Sequence, residues 1–242
     1  SCAVPEEQVQ SIIIVVHDKE HKELWERDLA FFWSNVQVLP FPITERVEFT
    51  TVARSLEGQG AQMRALSMLA WNRPVVVIAT IEEATQYVVS PQYVISQSVH
   101  LEISQSIERD ELLEKLVTIG YERVDQVEQR GHFSVRGDIF DIFPVNSDDP
   151  IRMEFFGDEI DTMRHFSVDT QRSIETVDSY TVTPFFLTSD DADSTLLSYA
   201  KDGLIIYDEP VRIQEALKKF LKEDATHRKQ HCEWSELQRS VD

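Results

Sequence analysis

His132–Phe156 reads HFSVRGDIFDIFPVNSDDPIRMEFF. Side chains two apart in a strand share a face. In His132–Arg136, Phe133 and Val135 point one way and His132, Ser134 and Arg136 the other. In Ile151–Phe156, Ile151, Met153 and Phe155 point one way and Arg152, Glu154 and Phe156 the other. The first sets are core. The second sets place Arg136, Arg152, Glu154 and Phe156 on an outer face. Turn signals at Arg130-Gly131, Asn146-Ser147 and Gly157-Asp158 punctuate the alternation, which predicts an antiparallel sheet with one wet face.

Upstream of this sheet, Ile107–Gly120 has helical spacing through Leu112, Leu113, Leu116 and Val117, with Gly120 placed as the stop. Further upstream the texture changes. Residues 11–16 (SIIIVV) form a β-branched run of the kind buried in parallel sheets. Lys19–Trp33 is expected as a helix with Leu24, Leu29, Phe32 and Trp33 on or near one side. A short strand at Val36–Leu39, a helix over Ser55–Trp71, the run VVVIA at 75–79 and a short helix from Glu82 follow. After Pro184 the same texture returns, with GLIIYDEP (203–210) as a strand and turn and Val211–Glu223 as an amphipathic helix. The order β-α-β-α-β-α predicts an α/β fold with a parallel sheet. The expected organisation is an α/β domain over 1–97, an inserted α+β domain with the antiparallel sheet over 98–182, and a returning α/β segment over 183–242. Ser189–Asp193 is expected to be a mobile loop.

The 242 residues are 42% hydrophobic with 13 Phe and 4 Trp, enough for a real core. No apolar run approaches the ~20 residues of a membrane span, and neither a membrane role nor a secretory signal is expected. Cys2 and Cys232 are far apart, which supports neither a disulfide framework nor a zinc site. The expected location is the cytoplasm. A net charge of −20 with scattered basic residues disfavours general binding to nucleic acid by this chain alone.

No GxxxxGK[ST] loop is present, and the 7 glycines are dispersed, so no nucleotide cofactor is expected. Asp208-Glu209-Pro210 is expected to be a strand end, a turn and a helix start rather than a metal motif. His17, His21 and His132 have no ligand spacing of the HExxH kind, and His227 with His231 makes only a pair. No nucleophile sits in an elbow or triad pattern. The chain is expected to have no catalytic residue, cofactor or metal. Binding is then the leading function, and the outer sheet face is its candidate surface. Alternation alone leaves two readings of that face open. One is an ordinary solvated face with a stray aromatic. The other is a docking surface, since Arg and aromatics are enriched at binding hot spots.

GYERVDQVEQRGHFSVRGDIFDIFP (120–144) and PIRMEFFGDEIDTMRHFSVDTQRS (150–173) resemble the N-terminal module of bacterial transcription-repair coupling factor. That family is related to the excision-repair protein UvrB, which has a similar GxFxVRGD…IFP…IRxEFFGDEI pattern. VDQVEQRGHFSVRG and DTQRS are closer to the coupling factor. VLPFPITE (38–45) and RPVVVIATIEEA (73–84) also resemble it. The resemblance implies an α/β domain like the first domain of UvrB, with an inserted domain that docks UvrA. It implies a parent protein that is an ATP-driven DNA translocase acting on stalled RNA polymerase, whose contacts to polymerase and DNA run through its other domains. It places UvrA-contacting positions on Arg136, Arg152 and Phe156, with Glu154 beside them and Arg123 as a further position. Two rival functions follow from the same likeness: a DNA-handling module of UvrB type, and an autoinhibitory module covered by another domain of the parent.

Overall fold

The structure, a computed structural model, describes residues 11–33, 36–43, 52–185, 192, 194–201, 203–223 and 227–239. The chain divides into two compact units, Val94–Thr188 and the two flanking legs together. The loop expected at Ser189–Asp193 falls, apart from Ala192, outside the described residues.

The first leg runs β1 (Ile12–Val16), α1 (Lys19–Phe32), β2 (Val38–Pro40), α2 (Val52–Ala70), β3 (Val76–Thr80), α3 (Ile81–Thr85) and α4 (Pro91–Gln97). The middle segment adds β4 (Val99–Glu102), α5 (Arg109–Thr118), β5 (Glu122–Arg123), β6 (His132–Arg136), β7 (Ile139–Ile142), β8 (Ile151–Phe156), β9 (Glu159–Phe166), β10 (Ser173–Thr176) and β11 (Ser179–Val182). The return leg holds a 3-10 turn at Leu196–Tyr199, then β12 (Leu204–Tyr207), α6 (Pro210–Glu223), α7 (His227–Gln230) and α8 (Trp234–Arg239).

In the first unit β12, β1, β3 and β2 form, in that order, a wholly parallel sheet. The β-branched runs of β1 and β3 occupy its middle and are almost fully buried, as covered parallel strands must be. β12 was expected to be equally buried, yet Leu204 is 54% exposed. It is an edge strand, with a neighbour on one side only. The α1 stripe also differs from expectation. Trp25, Leu29 and Trp33 pack on the core of Ile14, Val16, Val76 and Ile78, while Phe32 is 80% exposed. The helix ends at Phe32, and Trp33, the C-cap at φ −137°, turns to the core in its place. Asp208-Glu209-Pro210 forms the turn from β12 into α6.

In the second unit β10-β9-β8-β7-β6-β5 form a sheet that is antiparallel except for the β5–β6 pair. β11 and β4 make a separate antiparallel pair. α5 lays Leu112 and Leu116 on Phe133, Phe140, Ile142, Ile151, Met153, Phe155, Ile160 and Met163. It stops where expected. Gly120 has φ +95°, and the N–H groups of Tyr121 and Gly120 donate to the carbonyls of Leu116 (2.9 Å) and Val117 (3.1 Å), the paired bonds of a Schellman stop. The β6–β7 and β8–β9 hairpins each turn on two residues, Gly137-Asp138 and Gly157-Asp158. Both glycines have φ near +63°, the left-handed value that a II′ turn requires at its first central position. These turns aim the ends of β6 and β8 in one direction.

Candidate functional site

The register sets out the outer face in rows. Ser134, Asp141, Arg152 and Arg164 stand opposite one another across β6, β7, β8 and β9. Arg136, Ile139, Glu154 and Thr162 form the next row. Phe156 lies two residues beyond Glu154. A bulge separates Glu154 from Phe155, whose ring is in the core, so Phe156 stays on the outer side. Arg136, Arg152, Glu154 and Phe156 are therefore brought together on one face, at strand spacing.

These four do not have equal freedom. Asp141, only 1% exposed, organises both arginines. Its Oδ1 accepts from Arg152 Nε at 2.7 Å, and its Oδ2 accepts from Arg152 Nη2 at 2.8 Å and from Arg136 Nη2 at 3.1 Å. Arg152 also donates from Nη2 to Gln171 Oε1 at 3.2 Å and lies 4.4 Å over the Phe166 ring. Its hydrogen bonds to Asp141 raise its pKa further above the ordinary arginine value, despite partial burial. With a side chain 14% exposed, Arg152 is a structural strut rather than a loose finger. Arg136 is 52% exposed and makes one contact with Asp141. Glu154 pairs with Arg164 on the neighbouring strand. Phe156 is 84% exposed, the most exposed of the large apolar side chains among the described residues.

Arg123 lies elsewhere. It pairs with Phe133 across the parallel β5–β6 edge, and Phe133 points into the core, so by strand parity Arg123 does not belong to the row of Arg136. It is exposed at the sheet margin. The expectation of a uniformly wet outer face also needs correction. Val127, Phe143 and Phe166 form a small buried cluster with Val124 and Val168 packed on it. Phe143 and Phe166 share strand parity with Asp141 and Arg164, so chain outside the strands covers part of this face.

Two contributors escaped the sequence reading. Asp141 was legible in principle, since in GDIFDIFP it alternates with the core residues Phe140 and Ile142. Arg109 carried no signal, because its partners are 28 to 48 residues away. Its guanidinium donates to Gly157 O (3.0 and 2.8 Å), Gly137 O (3.1 Å) and Asp138 Oδ1 (2.8 Å). It also lies 5.1 Å from the centre of the Phe155 ring. One side chain thus ties together the two hairpin turns that carry Arg136 and Phe156. A backbone bond from Phe155 N to Asp138 O (2.8 Å) adds to the tie.

The comparisons with known proteins point to the same segment. Residues 99–186 match the model of the family described as UvrB interaction domain. The chain is 30% identical over 182 residues to the transcription-repair-coupling factor of Bacillus subtilis (strain 168), covering 75% of this chain and 16% of that protein. It is 31% identical over 186 residues to that of Staphylococcus aureus (strain bovine RF122 / ET3-1), with the same two shares. It is 29% identical over 221 residues to that of Staphylococcus aureus (strain USA300), covering 88% of this chain and 18% of that protein. The chain thus spans about a sixth of the length of these relatives. No described helix is long and apolar enough to cross a membrane. Residues 99–186 match the UvrB interaction domain family, in a chain that resembles the N-terminal module of transcription-repair-coupling factor.

Proposed function

We propose that the outer face of β6–β8 docks UvrA and so links a transcription-repair-coupling parent protein to nucleotide excision repair. The observation that carries this reading is the position of Phe156, 84% exposed on a hairpin whose turn is fixed by Arg109. An exposed aromatic on a rigid mount loses little conformational entropy on binding. Arg136 is the charged anchor. Asp141 holds one corner of its guanidinium and half of its side chain faces solvent, so a carboxylate on UvrA can take the remaining donors. Arg152 acts through Asp141, holding the carboxylate that aims Arg136. Glu154, paired with Arg164, lines the face between the anchors. Arg123 stands apart from this contact set.

The test is a calorimetric titration of the chain with UvrA. Arg136→Glu and Phe156→Ala should each cost about 2 kcal/mol, on the order of thirtyfold in Kd, with an unchanged circular dichroism spectrum. Arg152→Glu is a poor probe, because it removes the buried partner of Asp141 and any loss of binding would be confounded by loss of fold. A DNA-handling role would require mobility shifts by the chain alone. With a net charge of −20, none is expected.

A further inference from the structure

At the carboxyl end of β1, His17 follows the strand, Asp18 caps α1 and His21 lies in the first turn of that helix. The return leg brings Asp208 and Glu209 to the same place, directly after β12. In open α/β sheets this end of the strands is where ligands collect. One ligand atom from each of His17, His21 and Glu209 lies within 4.8 Å of the other two. The two imidazole rings are 4.1 Å apart, centre to centre.

The surrounding contacts orient these groups. Asp18 Oδ2 stands 3.2 Å from His17 Nε2, and Asp18 Oδ1 stands 2.9 Å from His21 Nδ1. Asp18 hydrogen-bonds His21 Nδ1 and lies near His17 Nε2, which leaves His17 Nδ1 and His21 Nε2 as the nitrogens it does not approach. This is the support that metal-binding histidines receive from an outer carboxylate. His17 Nδ1 is closed off from solvent and has no hydrogen-bond partner, while Glu209 Oε2 stands 3.7 Å from it. A buried ring nitrogen without a partner is costly unless something occupies it. Glu209 is also held at φ +59°, a left-handed conformation that costs a non-glycine residue free energy and tends to persist at functional positions. Glu209 Oε2 meets Arg212 Nη1 at 3.0 Å. That pair is largely exposed and contributes little to stability, so a metal can displace it.

We propose that His17, His21 and Glu209 form a binding site for a divalent transition metal, with Zn²⁺ as the reference ion. Two imidazoles and one carboxylate suit zinc and its neighbours rather than magnesium or calcium, which take oxygen ligands. Three protein ligands leave a fourth position to water. The half-charge at the α1 N-terminus opposes a cation, but Asp18, Asp208 and Glu209 bring three carboxylates to the same corner. Asp208 is fixed by Trp25, whose Nε1 donates to its Oδ2 at 2.9 Å. A bound ion would clip the return leg to the first leg across His17 and Glu209. The docking face belongs to the other unit.

Titrating the metal-free chain with Zn²⁺ by calorimetry, with Co²⁺ absorption as a spectroscopic check, tests this. One saturable equivalent is expected. His21→Ala, at a half-buried position, and Glu209→Gln, at an exposed one, should each weaken it at least tenfold and change the Co²⁺ spectrum. Mg²⁺ should not compete. No saturable binding, binding that both substitutions leave unchanged, or equal competition by Mg²⁺ would each overturn the site.

Discussion

Arg136 and Arg152 are two residues with the same side-chain chemistry, on the same face and with the same acidic neighbour, yet their roles differ. Asp141 is buried and its charge is tolerated because Arg152 meets it with two short bonds. Removing one member of a buried pair strands the other. Arg152→Ala should therefore cost about 3 kcal/mol of stability, read as a lower urea midpoint, whereas Arg136→Ala should be close to neutral. The first unit has its own buried pair. Lys22 Nζ meets Glu83 Oε2 at 2.6 Å, and Glu83 closes a capping box with Thr80. Burial pushes the Glu83 carboxyl above its ordinary pKa, against the pull of Lys22. A carboxyl raised in the folded state binds its proton more tightly when folded, so falling pH stabilises the fold until the unfolded pKa of about 4.3 is reached. Lys22→Met removes the opposing charge and raises that carboxyl further. It should destabilise by about 3 kcal/mol at neutral pH, with part of the loss recovered in melts run near pH 5. Unchanged melts at both pH values would count against this reading.

At the scale of elements, the face depends on two hairpin turns and the one arginine that joins them. Arg109→Lys keeps the charge but loses the planar fork that reaches Gly137 and Gly157 together. Amide exchange at Phe155, Gly157 and Asp158 should accelerate in that variant while exchange in the α5 core stays slow; uniform protection would show that the clamp is dispensable. How much the sequence disclosed follows from the same contrast. Period-two alternation put Arg136, Arg152, Glu154 and Phe156 outward, and Gly120 stopped α5 where its left-handed φ requires. Alternation assigns a side, not a partner. It could not show that Asp141 occupies Arg152, or that Phe143 and Phe166 bury part of the outer face. Arg123 has its own strand parity, fixed by pairing with Phe133, which one strand read alone does not reveal. The α1 stripe went wrong at Phe32 because the helix ends there and Trp33 folds back.

At the scale of the molecule, all four tryptophans, Trp25, Trp33, Trp71 and Trp234, lie in the unit built from the two legs. Their fluorescence therefore reports that unit alone, whereas circular dichroism reports both. In urea, Arg152→Ala should move part of the dichroism change and leave the tryptophan transition in place, whereas Lys22→Met should move the tryptophan transition together with the other part of the dichroism change. A single shared transition that moves with either substitution would show that the units unfold together. The inserted antiparallel sheet thus presents a candidate docking face, within the residues that match the UvrB interaction domain family. The most direct measurement is the affinity of the chain for UvrA with Arg136→Glu and with Phe156→Ala. Docking by this face requires a loss of more than tenfold in each, with folding intact. Wild-type affinity in both variants would contradict it.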